Sequence, residues 1–267
     1  MMVTNTYIPY CGAAPTPTSI AWNFDPALLA ILAAGALLYA FALRPWDERR
    51  RDEFALRPFA FAAGWACLAM VFVSPLCNLS VALFSARIGQ HMILALLAAP
   101  LLVLGGVDVL VARALRLDSE RRGRLEAVAA PIVFAVALWL WHAPQPYDAA
   151  LQSHFIYWIM EISLLAASVL LWRCLLRGLS LNPGAALAAS FFTALQMMGL
   201  GALLTFAPRV LFAAHLTTTE SWGLSPLQDQ QLGGLVMWLP FGLILTLHAV
   251  AALAACMREA GRRAHTA

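Results

Sequence analysis

Residues 225–257 read SPLQDQQLGGLVMWLPFGLILTLHAVAALAACM, a polar helix start followed by a long apolar run. Ser225 suits the N-cap of a helix, Pro226 its first position and Gln228 the reciprocal partner in a capping box. The first turn then carries three more polar side chains: Asp229, Gln230 and Gln231. A membrane helix tolerates such groups only near an interface or against other protein. We therefore expect this segment to cross a membrane and its polar first turn to be a candidate functional region.

The composition supports a membrane protein throughout. The chain has 267 residues, of which 62% are hydrophobic and only 12% are charged, whereas soluble domains carry about 25% charged residues. Apolar runs of about 17 residues or more, long enough to cross a bilayer, recur along the sequence. We predict seven spans: Ala27–Leu43, Pro58–Ser74, Ile88–Gly105, Ala127–Trp141, Phe155–Leu175, Ala185–Ala207 and Leu232–Met257. The predicted fold is an all-α polytopic membrane helix bundle.

The arginines predict how this bundle is oriented. All 17 basic residues are arginines, and the loops on alternate sides of the predicted spans hold 15 and 2 of them. Arginine is enriched in cytoplasmic loops, so we expect the N-terminus outside and the C-terminus in the cytoplasm. The predicted organisation is a periplasmic N-terminal segment (1–26), one seven-helix transmembrane domain (27–257) and a cytoplasmic tail (258–267).

This orientation places several metal-binding side chains on the outer side. His91 and Met92 open the third span, and an imidazole with a thioether suits Cu(I). An interfacial histidine bonded to a carbonyl is the alternative for His91. His142 ends the fourth span at a corner stiffened by Pro144 and Pro146, where it either points back to the bundle or is solvated. The predicted metal ligands are His91, Met92 and His142.

Further polar and sulfur-containing residues belong to the same side. We predict a functional outer-face cluster of Tyr147, Asp148, Asp229, Gln230, Gln231 and Met237. Helix capping is the alternative for Asp148, and interhelical polar bonding is the alternative for the first turn of the last span. Cys11 and Cys77 also fall outside. We interpret them as two unrelated cysteines, with a disulfide or a soft-metal pair as alternatives.

Three motifs carry a resemblance to a known family. They are QHMILALLAAPLLVLG (90–105), WHAPQPYDAAL (141–151) and GLSPLQDQQLGGLVMW (223–238). Together they resemble the multi-span CtaG family of assembly factors associated with caa-type cytochrome c oxidases. The resemblance extends from about the second span to the end of the chain. Two positions depart from the family pattern: Arg87 and Ile162 stand where the family has histidines, the second after Glu161.

The resemblance implies a multi-pass protein of the bacterial inner membrane that is needed to make active oxidase. It implies a non-enzymatic role in handling copper on the periplasmic side, with oxidase subunits and the lipid bilayer as partners and no nucleic acid. The residues leave two other functions open. One is a membrane electron carrier with haem between His91 and His142, and the other is a small-ion transporter using Glu161 and His248. The oligomeric state stays open as well.

Overall fold

The structure is a computed structural model that describes residues 7–43, 56–114 and 122–266. Within these residues the fold is all-helical, without a β-strand, which confirms the predicted class. The helices are α1 (Pro26–Leu43), α2 (Arg57–Val73), α3 (Pro75–Ala82), α4 (Phe84–Leu104), α5 (Val107–Ala114), α6 (Arg122–Trp141), α7 (Pro144–Leu151), α8 (His154–Leu181), α9 (Pro183–Thr205) and α10 (Pro226–Thr266). Several arginines used in the orientation argument lie outside the described residues: Arg44, Arg49, Arg50, Arg51, Arg116 and Arg121.

Each predicted span falls in a helix, but the count of seven is not confirmed. Among the described residues, α4, α8, α9 and α10 are the four helices long and apolar enough to cross a membrane alone. The number rises to six if α2 with α3, bent by 50°, and α6 with α7, bent by 71°, each form one span. The apolar stretch of α1 is shorter. Pro75 and Pro144 start the second helix of each bent pair, since proline lacks the N–H that would continue the preceding helix.

A π-helical turn, Leu94–Ala98, interrupts α4. The backbone N–H of Ala99 bonds to the Leu94 carbonyl, and Pro100 has no N–H to offer the next carbonyl, that of Ala95. The indole of Trp172 on α8 donates to the Ala95 oxygen instead, at 2.6 Å. The interruption thus ties α4 to α8 shortly after His91.

The chain before α1 is joined to α3 at one end of the bundle. Cys11 and Cys77 form a disulfide with a Cα–Cα distance of 5.3 Å, so our interpretation of two unrelated cysteines was wrong. The residues are 66 positions apart, and only the path of α1 and α2 brings them together. Near the disulfide, the Asn23 N–H donates to the Val73 carbonyl at 2.9 Å. We call this end of the bundle, with the first turns of α4, α8 and α10, the disulfide end.

The segment 7–25 crosses the disulfide end as a strap. The Asn78 amide donates to the carbonyls of Cys11 and Ala13, both at 2.9 Å. The Tyr10 ring stacks on Tyr157 with 5.1 Å between centroids. The Tyr10 hydroxyl donates to Asp25 Oδ2 at 2.7 Å, and this hydrogen bond lowers the pKa of Asp25. The strap is therefore held to α3 and α8 by several independent contacts.

Candidate functional site

Asp229 is buried where α10 meets α4. Its carboxylate accepts from the backbone N–H groups of Phe84 at 2.6 Å and Ser85 at 3.1 Å, and from the Ser85 hydroxyl. Those groups begin α4, where the first N–H groups have no partner within the helix. Asp229 therefore caps a neighbouring helix across the bundle. Its own helix starts with the predicted capping box, in which Ser225 N–H donates to Gln228 Oε1 and Gln228 N–H donates to Ser225 Oγ.

Gln230 and Gln231 bind the connection between α9 and α10. Gln230 Oε1 accepts from the Leu211 N–H at 2.6 Å, and its Nε2 donates to the Arg209 carbonyl at 3.3 Å. Gln231 Nε2 lies 3.5 Å from the Ala207 carbonyl. These hydrogen bonds fix the loop that precedes α10, whereas the bond from this turn to another helix is that of Asp229 to α4.

Tyr147 meets His215 rather than an open outer surface. Its hydroxyl lies 2.7 Å from His215 Nε2, and His215 Nδ1 lies 3.2 Å from the Ala82 carbonyl. A carbonyl only accepts, so Nδ1 carries the proton and Nε2 accepts from the tyrosine. Burial, then the positive charge of Arg87, lowers the pKa of His215 to about 4. Of the other predicted cluster members, Met237 is fully buried and Asp148 is partly buried.

His91 and His142, two of the three predicted metal ligands, come together in the interior of the disulfide end. Their rings meet edge to face with 5.5 Å between centroids, and both side chains are buried. Glu161 of α8 joins them, with Oε1 3.6 Å from His91 Nε2. Glu161 was not among the predicted metal ligands. The signal was present, because Glu161 is the only acidic residue in its predicted span. We call His91, His142 and Glu161 the inner cluster.

The polar atoms of the inner cluster are short of hydrogen-bond partners. Both ring nitrogens of His91, Nε2 of His142 and both carboxylate oxygens of Glu161 are buried without one. His142 Nδ1 lies 2.7 Å from the Leu138 carbonyl and therefore donates to it. Its Nε2 keeps a free lone pair. Buried polar groups are almost always paired, so this concentration of unpaired atoms indicates a place for an ion or ordered solvent.

Arg87 lies beside the inner cluster, inside α4 and not in a loop as the predicted span boundary placed it. The helix starts earlier than predicted because Asp229 caps it at Phe84. The buried guanidinium carbon lies 5.5 Å from the Tyr157 ring centroid and 5.8 Å from that of Tyr147, within cation–π range. Arg87 Nε donates to the Ser80 carbonyl at 3.2 Å.

The side chains of Met92, a predicted metal ligand, and of Ile162, which stands where the family has a histidine, are turned away from the inner cluster. Met92 follows His91 directly, and successive residues of a helix lie about 100° apart around its axis. Its buried thioether therefore leaves α4 on a different face from the His91 imidazole. Ile162 is 62% exposed, so its side chain lies away from the buried Glu161 beside it.

His154 and His248 have local partners. His154 donates its backbone N–H to the Tyr7 hydroxyl, and its ring lies 3.1 Å from the Ile8 carbonyl. His248 contacts the Ser190 hydroxyl at 2.7 Å and the Leu175 carbonyl at 3.2 Å. These contacts fasten the strap to α8 and join α8, α9 and α10.

The inner cluster can supply a pair of metal ligands. Across the described ranges, no three His, Cys, Asp or Glu side chains are arranged to hold one metal ion. The unpaired nitrogens and oxygens nevertheless suit transition-metal ions, for which imidazole is a common ligand. A pair of protein ligands leaves coordination positions open, which suits an ion that must be passed on.

Comparison with known proteins agrees with the resemblance seen in the motifs. No curated protein and no solved structure gives a significant match to the chain. A family model described as the cytochrome c oxidase caa3 assembly factor (Caa3_CtaG) matches residues 37–259. The match covers most of the chain and includes the whole inner cluster. The chain therefore belongs to the caa3 cytochrome c oxidase assembly factor family.

Proposed function

We propose that this protein assists the assembly of cytochrome c oxidase by handling copper at the periplasmic face of the bacterial inner membrane. Membership of the family supports the assembly role. The observation that carries the copper role is the buried meeting of His91 and His142, whose rings lie 5.5 Å apart and keep unpaired nitrogens. Oxidase subunits in the same bilayer are the partners that this function requires.

The disulfide supports the periplasmic side of this proposal. Disulfides form and persist in oxidising compartments such as the periplasm. The inner cluster lies close to the disulfide, because Tyr157 joins the two. The Tyr157 hydroxyl is 3.5 Å from Cys11 Sγ and 3.5 Å from Gln90 Nε2, and Gln90 precedes His91. The imidazoles thus lie near the disulfide end of the bundle.

The chemistry needed is binding and release rather than bond making. Neutral imidazole nitrogens bind copper ions, and these ligands carry no charge of their own into the interior of the bundle. His142 is already fixed in the required tautomer by its bond to the Leu138 carbonyl. Two imidazoles leave the remaining coordination positions of the ion to water or to the receiving protein.

Copper stoichiometry in the purified protein tests the proposal. We expect His91→Ala and His142→Ala to lose most of the bound copper, while His154→Ala, on the strap side of the same end, retains it. Unchanged copper in both inner-cluster variants would remove the metal role and leave scaffolding of the oxidase. A Soret band in the purified protein would favour the haem-carrier alternative instead.

A further inference from the structure

Glu161 is an acidic side chain buried in the middle of an apolar helix. It is 1% exposed, and neither carboxylate oxygen has a hydrogen-bond partner. An ionised carboxylate in such surroundings is costly unless a cation or hydrogen-bond donors compensate it. In the described part of the chain, its ion-pair partner is His91 and not the nearby Arg87. A cation bound between Glu161 and His91 would supply that compensation.

The distance between the two side chains fits a shared ion. His91 Nε2 and Glu161 Oε1 are 3.6 Å apart, beyond a normal hydrogen bond. Two adjacent ligand atoms in the tetragonal geometry that Cu(II) prefers, each about 2.0 Å from the ion, lie roughly 2.8 Å apart, so the two side chains would close slightly around the ion. Both atoms are buried and have no hydrogen-bond partner, so no hydrogen bond has to be broken when an ion binds between them.

The types of ligand decide which ion fits. Soft sulfur ligands favour Cu(I), whereas a carboxylate with an imidazole favours divalent ions. Among the first-row divalent ions, Cu(II) binds most strongly to a given site. The Met92 thioether leaves α4 on another face, so it does not soften this pair. We propose that His91 and Glu161 together bind a divalent ion, Cu(II) in preference to Zn(II), with His142 as the adjacent imidazole. This rests on the proposed copper role and specifies the oxidation state of the ion held.

The position of Arg87 is compatible with a cation at this pair. Its guanidinium is held between the Tyr147 and Tyr157 rings and bonded to the Ser80 carbonyl. None of these contacts is with Glu161, and Arg87 Nη1 is left without a hydrogen-bond partner. The Glu161 oxygens therefore remain available to a cation, while the nearby positive charge weakens the binding of any cation and so favours its later release.

Parallel titrations with Cu(II), Zn(II) and anaerobic Cu(I) test the proposal on the purified full chain. We expect one Cu(II) per protein, with nitrogen coupling in its electron paramagnetic resonance spectrum. Glu161→Gln keeps the size of the side chain and removes the charge, so its Cu(II) affinity should fall at least tenfold while Cu(I) affinity changes little. Glu220→Gln removes the same charge from an exposed loop position and should bind Cu(II) like the wild type.

The outcomes separate this proposal from the copper role itself. Wild-type affinity for Cu(II) in Glu161→Gln, or binding of Cu(I) alone, would overturn the divalent site while the copper role stands. Failure of the wild-type protein to bind either copper ion would overturn both. If Glu161→Gln does not fold, Glu161→Asp provides the second test. It keeps the charge but withdraws the carboxylate from His91, so Cu(II) affinity should fall and the nitrogen coupling should change.

Discussion

Tyr147 and His215 join α7 to the segment between α9 and α10 by a single short hydrogen bond. The acceptor is the imidazole nitrogen, since the other ring nitrogen donates to the Ala82 carbonyl. Protonation of His215 would turn this acceptor into a donor facing a tyrosine hydroxyl and would place a charge in a buried site near Arg87. Because the tyrosine oxygen can also accept, the buried charge beside Arg87, rather than the loss of the hydrogen bond, favours the neutral histidine.

This preference predicts a pH dependence of stability. The pKa of His215 falls from its ordinary 6.5 to about 4 on folding, so between these values the unfolded state binds more protons. The contribution is complete above pH 6.5 and is lost as the pH falls towards 4, with an upper limit of about 3 kcal/mol. Thermal unfolding in detergent should show the melting temperature falling across this window, and His215→Gln should remove that part of the fall.

Asp25 and His154 provide the controls for assigning this pH dependence to His215. The pKa of Asp25 is lowered on folding, so its contribution is present above pH 3.8 and is lost only at lower pH. The exposed His154 offers a matched change, and His154→Gln should keep the fall between pH 6.5 and 4. An unaltered pH profile in His215→Gln would show that another group is responsible.

The residue types at the site were predictable from the sequence, but their partners were not. Asp229 stood out as a carboxylate at the start of an apolar helix, yet its partners are the backbone N–H groups of Phe84 and Ser85, far away in the chain. His248 lies within the last predicted span, and its contact with Ser190 could not be predicted from the sequence. Glu161 was missed as a site residue for the same reason, since only the fold brings His91 to it.

At the scale of elements, local composition predicted more. All seven apolar segments form helices. A helix satisfies the backbone hydrogen bonds of such a segment internally, as apolar surroundings require. The corner before Pro144 was also predicted and is present as the 71° bend between α6 and α7. The 50° bend before Pro75 and the π-helical turn in α4 were not predicted. The latter depends on Trp172 from another helix as well as on Pro100.

Gly233 and Gly234 allow close packing of α10 against its neighbours, and this gives a second prediction. A Cβ added at Gly234 would lie 2.7 Å from the Thr205 nitrogen and 2.9 Å from the Gly201 oxygen, both backbone atoms that cannot turn away. Gly234→Ala should therefore separate α9 from α10 and cost about 1–3 kcal/mol, the usual range for overpacking. The measurement is the free energy of unfolding in mixed micelles.

Gly242 offers the matched control on the same helix. A Cβ there would have no neighbour within 4 Å. Alanine is the better helix former by up to about 1 kcal/mol, so Gly242→Ala should be neutral or stabilising. Equal effects of the two substitutions would mean that backbone flexibility, and not the approach of α9, explains the glycine at 234.

At the scale of the whole molecule, the length of α10 bears on the topology. Its 41 residues extend for about 60 Å, roughly twice the hydrocarbon thickness of a bilayer. The first turn of α10 lies at the disulfide end with Asp229, and its last turns carry Arg258, Arg262 and Arg263. Position 260 is about 50 Å along the helix from Pro226, so we expect it beyond the opposite face of a bilayer that α10 crosses.

Two independent features predict which face is which. The arginines are concentrated in the loops that the sequence assigns to the cytoplasm, and a disulfide is expected where the compartment is oxidising.

Exposed cysteines introduced as Thr217→Cys and Ala260→Cys test the orientation, after Cys67, Cys174 and Cys256 have been replaced. In spheroplasts, a maleimide that cannot cross membranes should label position 217 and spare position 260. Both should react after lysis, which shows that each thiol is accessible. Labelling of 260 alone in intact spheroplasts would put the disulfide end in the cytoplasm. The inner cluster would then face the wrong compartment for periplasmic copper handling.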